Sequence, residues 1–257
     1  MSTALVTGAT VGIGLSFART LAQGRHDLVL VARDGARLQT VAADLRQAHG
    51  VAVEVLVADL ADRAQVETVA RRVADEGRPV DVVVNNAGFG LGTEFLDADI
   101  ADEERLLAVL CQAVLVISQA AGRAMSARGR GRIVNISSVA SFAPGGTYYA
   151  AKAWVTSFTE GLSNELSGSG VTATAVCPGF TRTEFHQRGG MGMSKLPDWM
   201  WLAADDVARQ GWADAVRGKV ISVPGWQYKA LVGLLRTSPR PLVRRVTAGI
   251  GRRRHGR

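Results

Sequence analysis

Seven short runs rich in β-branched residues recur along the chain, each followed by a stretch of turn or helical character: "TALVT" (3–7), "DLVLVAR" (27–33), "VAVEVLVADL" (51–60), "VDVVVNNAG" (80–88), "GRIVNIS" (131–137), "VTATAVCPG" (171–179) and "KVISVPG" (219–225). Each run is apolar at successive positions, so both faces of each strand need cover, as in a parallel sheet between two helix layers. Segments such as "DGARLQTVAADLRQAHG" and "DRAQVETVARRVADEG" have the length and pattern of the crossover helices that parallel strands require. The expectation is an α/β fold, a doubly wound parallel sheet of about seven strands with helices on both faces. With no internal repeat and no composition break before about residue 229, residues 1–228 read as one Rossmann-type domain.

The 47% hydrophobic content supports a large core. No run of about eighteen uncharged apolar residues is apparent, and "MSTALVTGAT" has neither a basic segment nor a cleavage pattern. A cytoplasmic location is expected. Cys111 and Cys177 lie in apolar runs and read as packing residues, while His26, His49, His186 and His255 lack metal-ligand spacing; no metal is expected. The net charge of +7 is unevenly placed: from Lys229 onward there are one lysine and eight arginines with no acid, so residues 229–257 carry +9 and leave −2 for the rest. This basic tail mixes apolar pairs with arginine clusters. Contact with an anionic membrane surface is one expectation, contact with nucleic acid or an acidic carrier protein another, and a solvated tail the plain alternative. A near-neutral body makes nucleic acid an unexpected partner.

"ALVTGATVGIGLSFARTLAQGR" runs strand, glycine-rich turn, helix, with Gly8, Gly12 and Gly14 at the spacing GxxxGxG. Glycines there let the backbone approach a pyrophosphate, and the helix N-terminus adds unpaired N–H groups and partial positive charge. After the first strand of a doubly wound sheet this points to a dinucleotide. At the end of the second strand, Arg33 stands where an acid would bond the adenosine ribose; a guanidinium there suits a 2′-phosphate and favours NADP(H) over NAD(H). Asp34 is an alternative ribose partner, and a solvated Arg33 opening the next helix is the plain reading.

"TYYAAKAW" (147–154) sets two tyrosines before a lysine. Helical pitch puts Tyr148 and Lys152 on one face, while Tyr149 with Lys152 is a poorer but possible pair.

With "TGATVGIG", "ADL" (58–60), "NNAG" (85–88), "NISS" (135–138), "YYAAK" (148–152) and "PGFTRT" (178–183) in this order, the chain resembles the short-chain dehydrogenase/reductase family over roughly residues 3–223, most of all its steroid dehydrogenase and 3-ketoacyl reductase branch. The resemblance selects Tyr148 over Tyr149 as general acid or base. It makes Lys152 the cation that steadies the phenolate and holds the nicotinamide ribose, and Ser138 the hydroxyl that orients the carbonyl; Ser137 reads as structural. It implies cofactor contacts from Gly8, Thr10, Gly12, Ile13 and Gly14, from Arg33, from Asp59 and Leu60 at the adenine, from Asn85, Asn86, Ala87 and Gly88, and from Pro178, Gly179, Thr181 and Thr183 at the nicotinamide. An ordinary helix cap is the plain reading of Asp59. A homo-oligomer is expected.

Two departures stand out. The long helix "DEERLLAVLCQAVLVISQAAGRAM" places Leu110, or Cys111 if the register slips, where many members carry an asparagine that completes a proton relay. The ten positions from Ser138 to Tyr148 are also fewer than usual, so the serine loop must be tight. Between the sixth and seventh strands, "FTRTEFHQRGGMGMSKLPDWMWLAADD" has the make-up of a substrate lid at about 180–205. Phe89, Leu91, Phe180, Phe185, Met191, Met193, Trp199, Met200 and Trp201 suit a hydrophobic carbonyl or alcohol. The expected function is an NADP(H)-dependent oxidoreductase interconverting a hydrophobic ketone and secondary alcohol. The alternative is a nucleotide-binding sensor or scaffold of the same fold.

Overall fold

The structure is a computed structural model that describes residues 2–184, 197–241 and 243–245. Its strands are β1 (Thr3–Thr7), β2 (Asp27–Ala32), β3 (Val53–Val57), β4 (Val82–Asn85), β5 (Gly131–Ile136), β6 (Val171–Val176), β7 (Thr181–Arg182), β8 (Leu202–Ala203) and β9 (Ile221–Ser222). Seven form one parallel sheet in the order β3-β2-β1-β4-β5-β6-β9, one from each expected run; β7 and β8 form a separate parallel pair.

Alternation along each strand divides the core into two layers. Ala4, Val6, Leu28, Leu30, Val82, Val84, Val134 and Ile136 face Phe17 and Leu21 of α1 (Gly12–Gln23), Leu38 and Leu45 of α2 (Gly35–His49), and Val207 and Ala208 of the helix that follows β8. Leu5, Val29, Val31, Val83 and Ile133 face Val66, Val69 and Val73 of α3 (Arg63–Ala74) and a helix running up to Ala127. A one-residue slip would exchange the layers and mismatch every contact, and with ~1.5–3 kcal/mol at stake for each buried Val or Leu the register is strongly specified. Asp34 and Asp62 cap α2 and α3 by accepting from Arg37 N and Ala64 N, so these two crossover helices start on an acid.

The helix after β4 changes pitch. α4 (Ile100–Leu107) passes through a π turn, Ala108–Gln112, into α5 (Ala113–Ala127). This continuous stretch, Ile100–Ala127, is long and apolar enough by length and composition to cross a membrane, although polar and charged residues interrupt its apolar run. Val109, Ala113, Ile117, Ala121 and Met125 are nonetheless buried against the sheet, so its apolar character serves the core. α6 (Thr147–Glu165) follows β5, α7 (Ala204–Val216) follows β8, and α8 (Trp226–Thr237) follows β9. The composition boundary at 228/229 falls within α8, whose Tyr228 and Val232 are buried. β1 connects outward to β2 and β4 to β5 on the other side, so the chain reverses between β1 and β4, where ligands of open α/β sheets sit beyond the carboxyl ends.

Candidate active site

The glycine turn leaves β1 at that reversal. Gly8 and Gly12 have φ of 66° and 55°, the left-handed region that side chains disfavour. A Cβ on Gly14 would lie 2.3 Å from the Gly8 carbonyl oxygen, so the turn folds tightly against the start of α1. Asn86 stitches it down: its Nδ2 donates to the carbonyls of Thr7 (2.9 Å) and Gly8 (3.2 Å), while Thr7 Oγ1 accepts from the amides of Asn86 (2.9 Å) and Ala87 (3.0 Å). Thr10 is buried in the turn and Ile13 packs on the core. Val11 caps α1 without a side-chain hydrogen bond, and the first turn contains no acid. This cradle, which any Cβ would fill and whose amides meet no side-chain cap, fits the pyrophosphate of a dinucleotide. Asn85 instead ties the core together, its amide donating to Ser118 Oγ (3.1 Å) and Asn135 Oδ1 (2.9 Å).

At the far end of β2, Arg33 is exposed and stands 3.8 Å from Asp59. Asp34 is committed to capping, its Oδ1 accepting from Arg37 N at 3.0 Å. Asp59 caps no helix, since Asp62 does that for α3. Its Oδ1 accepts from Ala61 N (3.0 Å), and its Oδ2 pairs with Arg105 of α4 (2.8 Å). Leu60 beside it is buried. Two guanidiniums, Arg33 and Arg105, therefore converge on Asp59; Arg105 lies 46 positions from it, with no motif to mark it. Arg37 reaches across to Glu184 at 2.7 and 3.4 Å, a second bridge the sequence did not signal.

The catalytic candidates come together between β5 and α6. The short Ser138–Tyr148 interval is taken up by a single 3-10 turn, Val139–Phe142, which Ser138 caps by accepting from Ala140 N at 3.1 Å. Tyr148 turns inward, with its hydroxyl hydrogen-bonded to Ser138; Tyr149 lies over Gly145 and is 38% exposed. Burial pushes the Tyr148 phenol up to about 12, with the Ser138 hydrogen bond opposing and Tyr149 adding to the rise. That differs from the resemblance, which implied a phenol held down by Lys152. The lysine is buried, its Nζ donates to the Ile136 carbonyl at 2.8 Å, and it lies 5.8 Å from the Tyr148 ring centroid. Burial lowers it to about 8, and the Cys111 and Cys177 thiols partly oppose that. Ser137 is structural, bonded to the Lys152 carbonyl (2.8 Å) and Thr156 (2.7 Å).

Leu110 sits in the π turn, buried. A Cβ on Gly88 would lie 2.7 Å from Leu110 Cδ2 and 3.9 Å from Lys152 Nζ, so the leucine methyl and the lysine nitrogen flank the same glycine. Cys111 instead points its Sγ toward the Ala151 carbonyl at 3.9 Å. Leu110 thus occupies the position beside Lys152, and Asn85 and Asn86, the amides on the neighbouring strand end, are bonded elsewhere. Phe89, Leu91, Leu106, Leu110 and Ala151 form an apolar cluster against Tyr148.

One tyrosine joins Phe180 and Met200, described residues on either side of the segment expected as a lid. Tyr228 OH accepts from Phe180 N (3.0 Å) and donates to the Met200 carbonyl (2.6 Å), while its ring lies where a Cβ on Gly179 would be 2.0 Å from Cζ. β7 and β8 pair across the same neck, the Pro178 carbonyl accepts from Val139 N at 3.0 Å, and Thr181 Oγ1 donates to the Gly179 carbonyl at 3.0 Å. Thr183 sets its methyl against Gly12, within 2.8 Å of where a Cβ would be. Phe180 and Trp201 pack with ring centroids 6.0 Å apart, Met200 is half-buried, and Trp199 points outward. Phe185, Met191 and Met193 lie outside the described residues. Tyr228 had no sequence signal beyond being the aromatic that follows "VPGW".

The family model for short chain dehydrogenases matches residues 2–191. A putative ketoacyl reductase of the monensin polyketide synthase from Streptomyces virginiae is 37% identical over 202 residues, 76% of each chain. Galactitol 2-dehydrogenase (L-tagatose-forming) from Cereibacter sphaeroides is 38% identical over 218 residues, 81% of this chain and 82% of that one. A solved short-chain dehydrogenase from Sphingobium yanoikuyae in complex with NADPH superposes with a TM-score of 0.84 at 37% identity, over 92% of this chain and 94% of the other. With the parallel sheet, the glycine cradle and the family match agreeing, the chain belongs to the short-chain dehydrogenase/reductase family and is an NAD(P)-dependent oxidoreductase.

Proposed function

We propose that the enzyme interconverts a bulky hydrophobic ketone and its secondary alcohol, using NADP(H) in preference to NAD(H), with Tyr148 as general acid in reduction and base in oxidation. The observation that carries this reading is the half-buried Tyr148, its hydroxyl bonded to Ser138, beside an apolar wall of Phe89, Leu91 and Leu110. A nicotinamide cofactor, when bound, supplies or accepts the hydride. Gly8, Gly12, Gly14 and the α1 amides hold its pyrophosphate, Arg33 meets the 2′-phosphate, and the Pro178–Thr183 segment closes on the nicotinamide side. Ser138 orients the carbonyl oxygen. Tyr148, at about 12, is protonated at neutral pH and so is ready to donate to that oxygen. Lys152, at about 8, can hold or release a proton near neutrality, which suits the resupply of Tyr148. The apolar cluster excludes water from the reacting carbonyl.

The relatives' names include both a ketoacyl reductase and a polyol dehydrogenase, so substrate class is the point to test. Initial rates followed by absorbance of the reduced cofactor should be high for bulky aryl and alkyl ketones and low for galactitol and keto-sugars. The reverse order would overturn the hydrophobic assignment. Arg33→Asp should weaken NADPH far more than NADH; equal shifts in the two dissociation constants would remove the cofactor preference. The second reading, a sensor without turnover, is favoured by Leu110 in the place of a relay amide, and turnover of any carbonyl in the panel excludes it.

A further inference from the structure

α8 has two faces of unlike character. Its inner face buries Tyr228 and Val232. On its outer face Trp226, Ala230, Gly233 and Leu234 recur at helical spacing, all exposed, with Trp226 at 77% and Leu234 at 64%. Trp199 of the lid neck, 62% exposed, is joined to this helix because its carbonyl accepts from Gln227 Nε2 at 3.2 Å. Two outward tryptophans and a leucine thus sit on segments joined by the Gln227 side chain, and large exposed apolar groups that cluster in this way mark interaction sites.

The charge beside the patch identifies what covers it. Lys229 lies on the flank of the apolar face, and Arg240, Arg244 and Arg245 are exposed where the chain continues beyond α8. No acid occurs from Lys229 to the end of the chain. We propose that the outer face of α8, together with Trp199, docks on an anionic lipid bilayer surface, Trp226 and Leu234 entering the headgroup boundary while Lys229 and the arginines meet lipid phosphates. Tryptophan favours that boundary, and a basic flank beside an apolar face is the pattern of a helix lying in the interface. A second copy of the chain is the poorer occupant, because it would bring two segments of +9 together. A second apolar patch, Phe95, Leu96 and Ile100, makes the contrast: it is as exposed, but Asp97, Asp99 and Asp102 surround it, and an anionic surface would repel it. Docking through α8 would also set the lid neck against the bilayer, since the same helix ties Phe180 and Met200 through Tyr228.

The test is co-sedimentation of the full-length protein with vesicles of phosphatidylcholine alone or with about 30% phosphatidylglycerol. Three variants are compared: Trp226→Ser with Leu234→Ser, Lys229→Glu, and Leu96→Ser as control. Melting temperature and NADPH affinity check that each is folded. The expected result is binding only to the phosphatidylglycerol vesicles, reduced at least about tenfold by the double variant, reduced severalfold by Lys229→Glu, lost in high salt and unchanged by Leu96→Ser. Three outcomes would overturn the proposal: no vesicle binding by the wild type; anionic binding that the folded double variant retains in full, which would assign it to tail charge alone; or a wild-type dimer that the double variant dissociates, with no vesicle binding, which would make the face a contact between copies. These readouts are independent of turnover, so they stand or fall apart from the catalytic reading.

Discussion

The glycine turn and the lid neck lie at the same end of the sheet and are secured in opposite ways. The turn is held between Thr7, the last residue of its own strand β1, and Asn86, just beyond the end of neighbouring β4, through the Thr7 hydroxyl and the Asn86 side-chain amide. The neck is held from far along the chain, by a tyrosine 48 positions after Phe180 whose hydroxyl bonds both of its sides. A cradle stitched to two adjacent strand ends by several hydrogen bonds is held in place by many contacts at once. A neck fixed by one side chain can be loosened without disturbing the sheet, which suits a part that admits and releases substrate.

Gly14→Ala attacks the turn and should have the largest effect on cofactor binding. The added Cβ meets the Gly8 carbonyl oxygen at 2.3 Å and Asn86 Nδ2 at 2.4 Å, both fixed groups. Overpacking of this kind costs about 1–3 kcal/mol, and calorimetric titration should show cofactor affinity reduced about ten- to hundredfold or abolished. Retained affinity would mean that the turn is softer than its hydrogen bonds imply. Tyr228→Phe probes the other side. The ring stays on Gly179, but Phe180 N and the Met200 carbonyl lose their partner, at ~1–3 kcal/mol for the group left unsatisfied. Substrate KM should rise severalfold, with cofactor affinity nearly constant and a melting temperature lower by a few degrees. Equal losses for substrate and cofactor would show that the two regions are mechanically one.

Leu110→Asn should have the smallest effect. It puts an amide beside Gly88 and Lys152, where the family's relay residue is usual, but in a buried, apolar cluster. An unpaired amide costs about 1–3 kcal/mol, so thermal stability should fall slightly. If proton return limits the rate, turnover rises with a smaller solvent isotope effect. An unchanged isotope effect with reduced stability would make the leucine mechanistically silent.

The same contrast explains what could be read from the sequence. The seven strands were legible because two buried faces force apolar residues at every position, as in "DVVVN" and "DLVLVA". The glycine turn was legible from its spacing after the first strand, while spacing left Tyr149 open as a poorer partner of Lys152 and the family resemblance selected Tyr148. Arg105, Glu184 and Tyr228 were not, since each acts on a partner at least 46 positions away, and only the folded chain shows that Asp59, Arg37 and Phe180 are those partners. The tail boundary at 228/229 was drawn from charge. α8 crosses it because helix formation there follows burial of Tyr228 and Val232, which the arginines downstream do not disclose.

The central claim is that the inward tyrosine, and not its exposed neighbour, moves the proton. Single-turnover oxidation of NADPH by a bulky ketone, compared among wild type, Tyr148→Phe and Tyr149→Phe, tests it most directly. The account predicts a loss of about 10²–10⁴ in rate for Tyr148→Phe, the usual worth of a positioned acid, with NADPH affinity retained and Tyr149→Phe close to wild type. Similar losses in both variants, or a Tyr148→Phe enzyme within threefold of wild type, would contradict it.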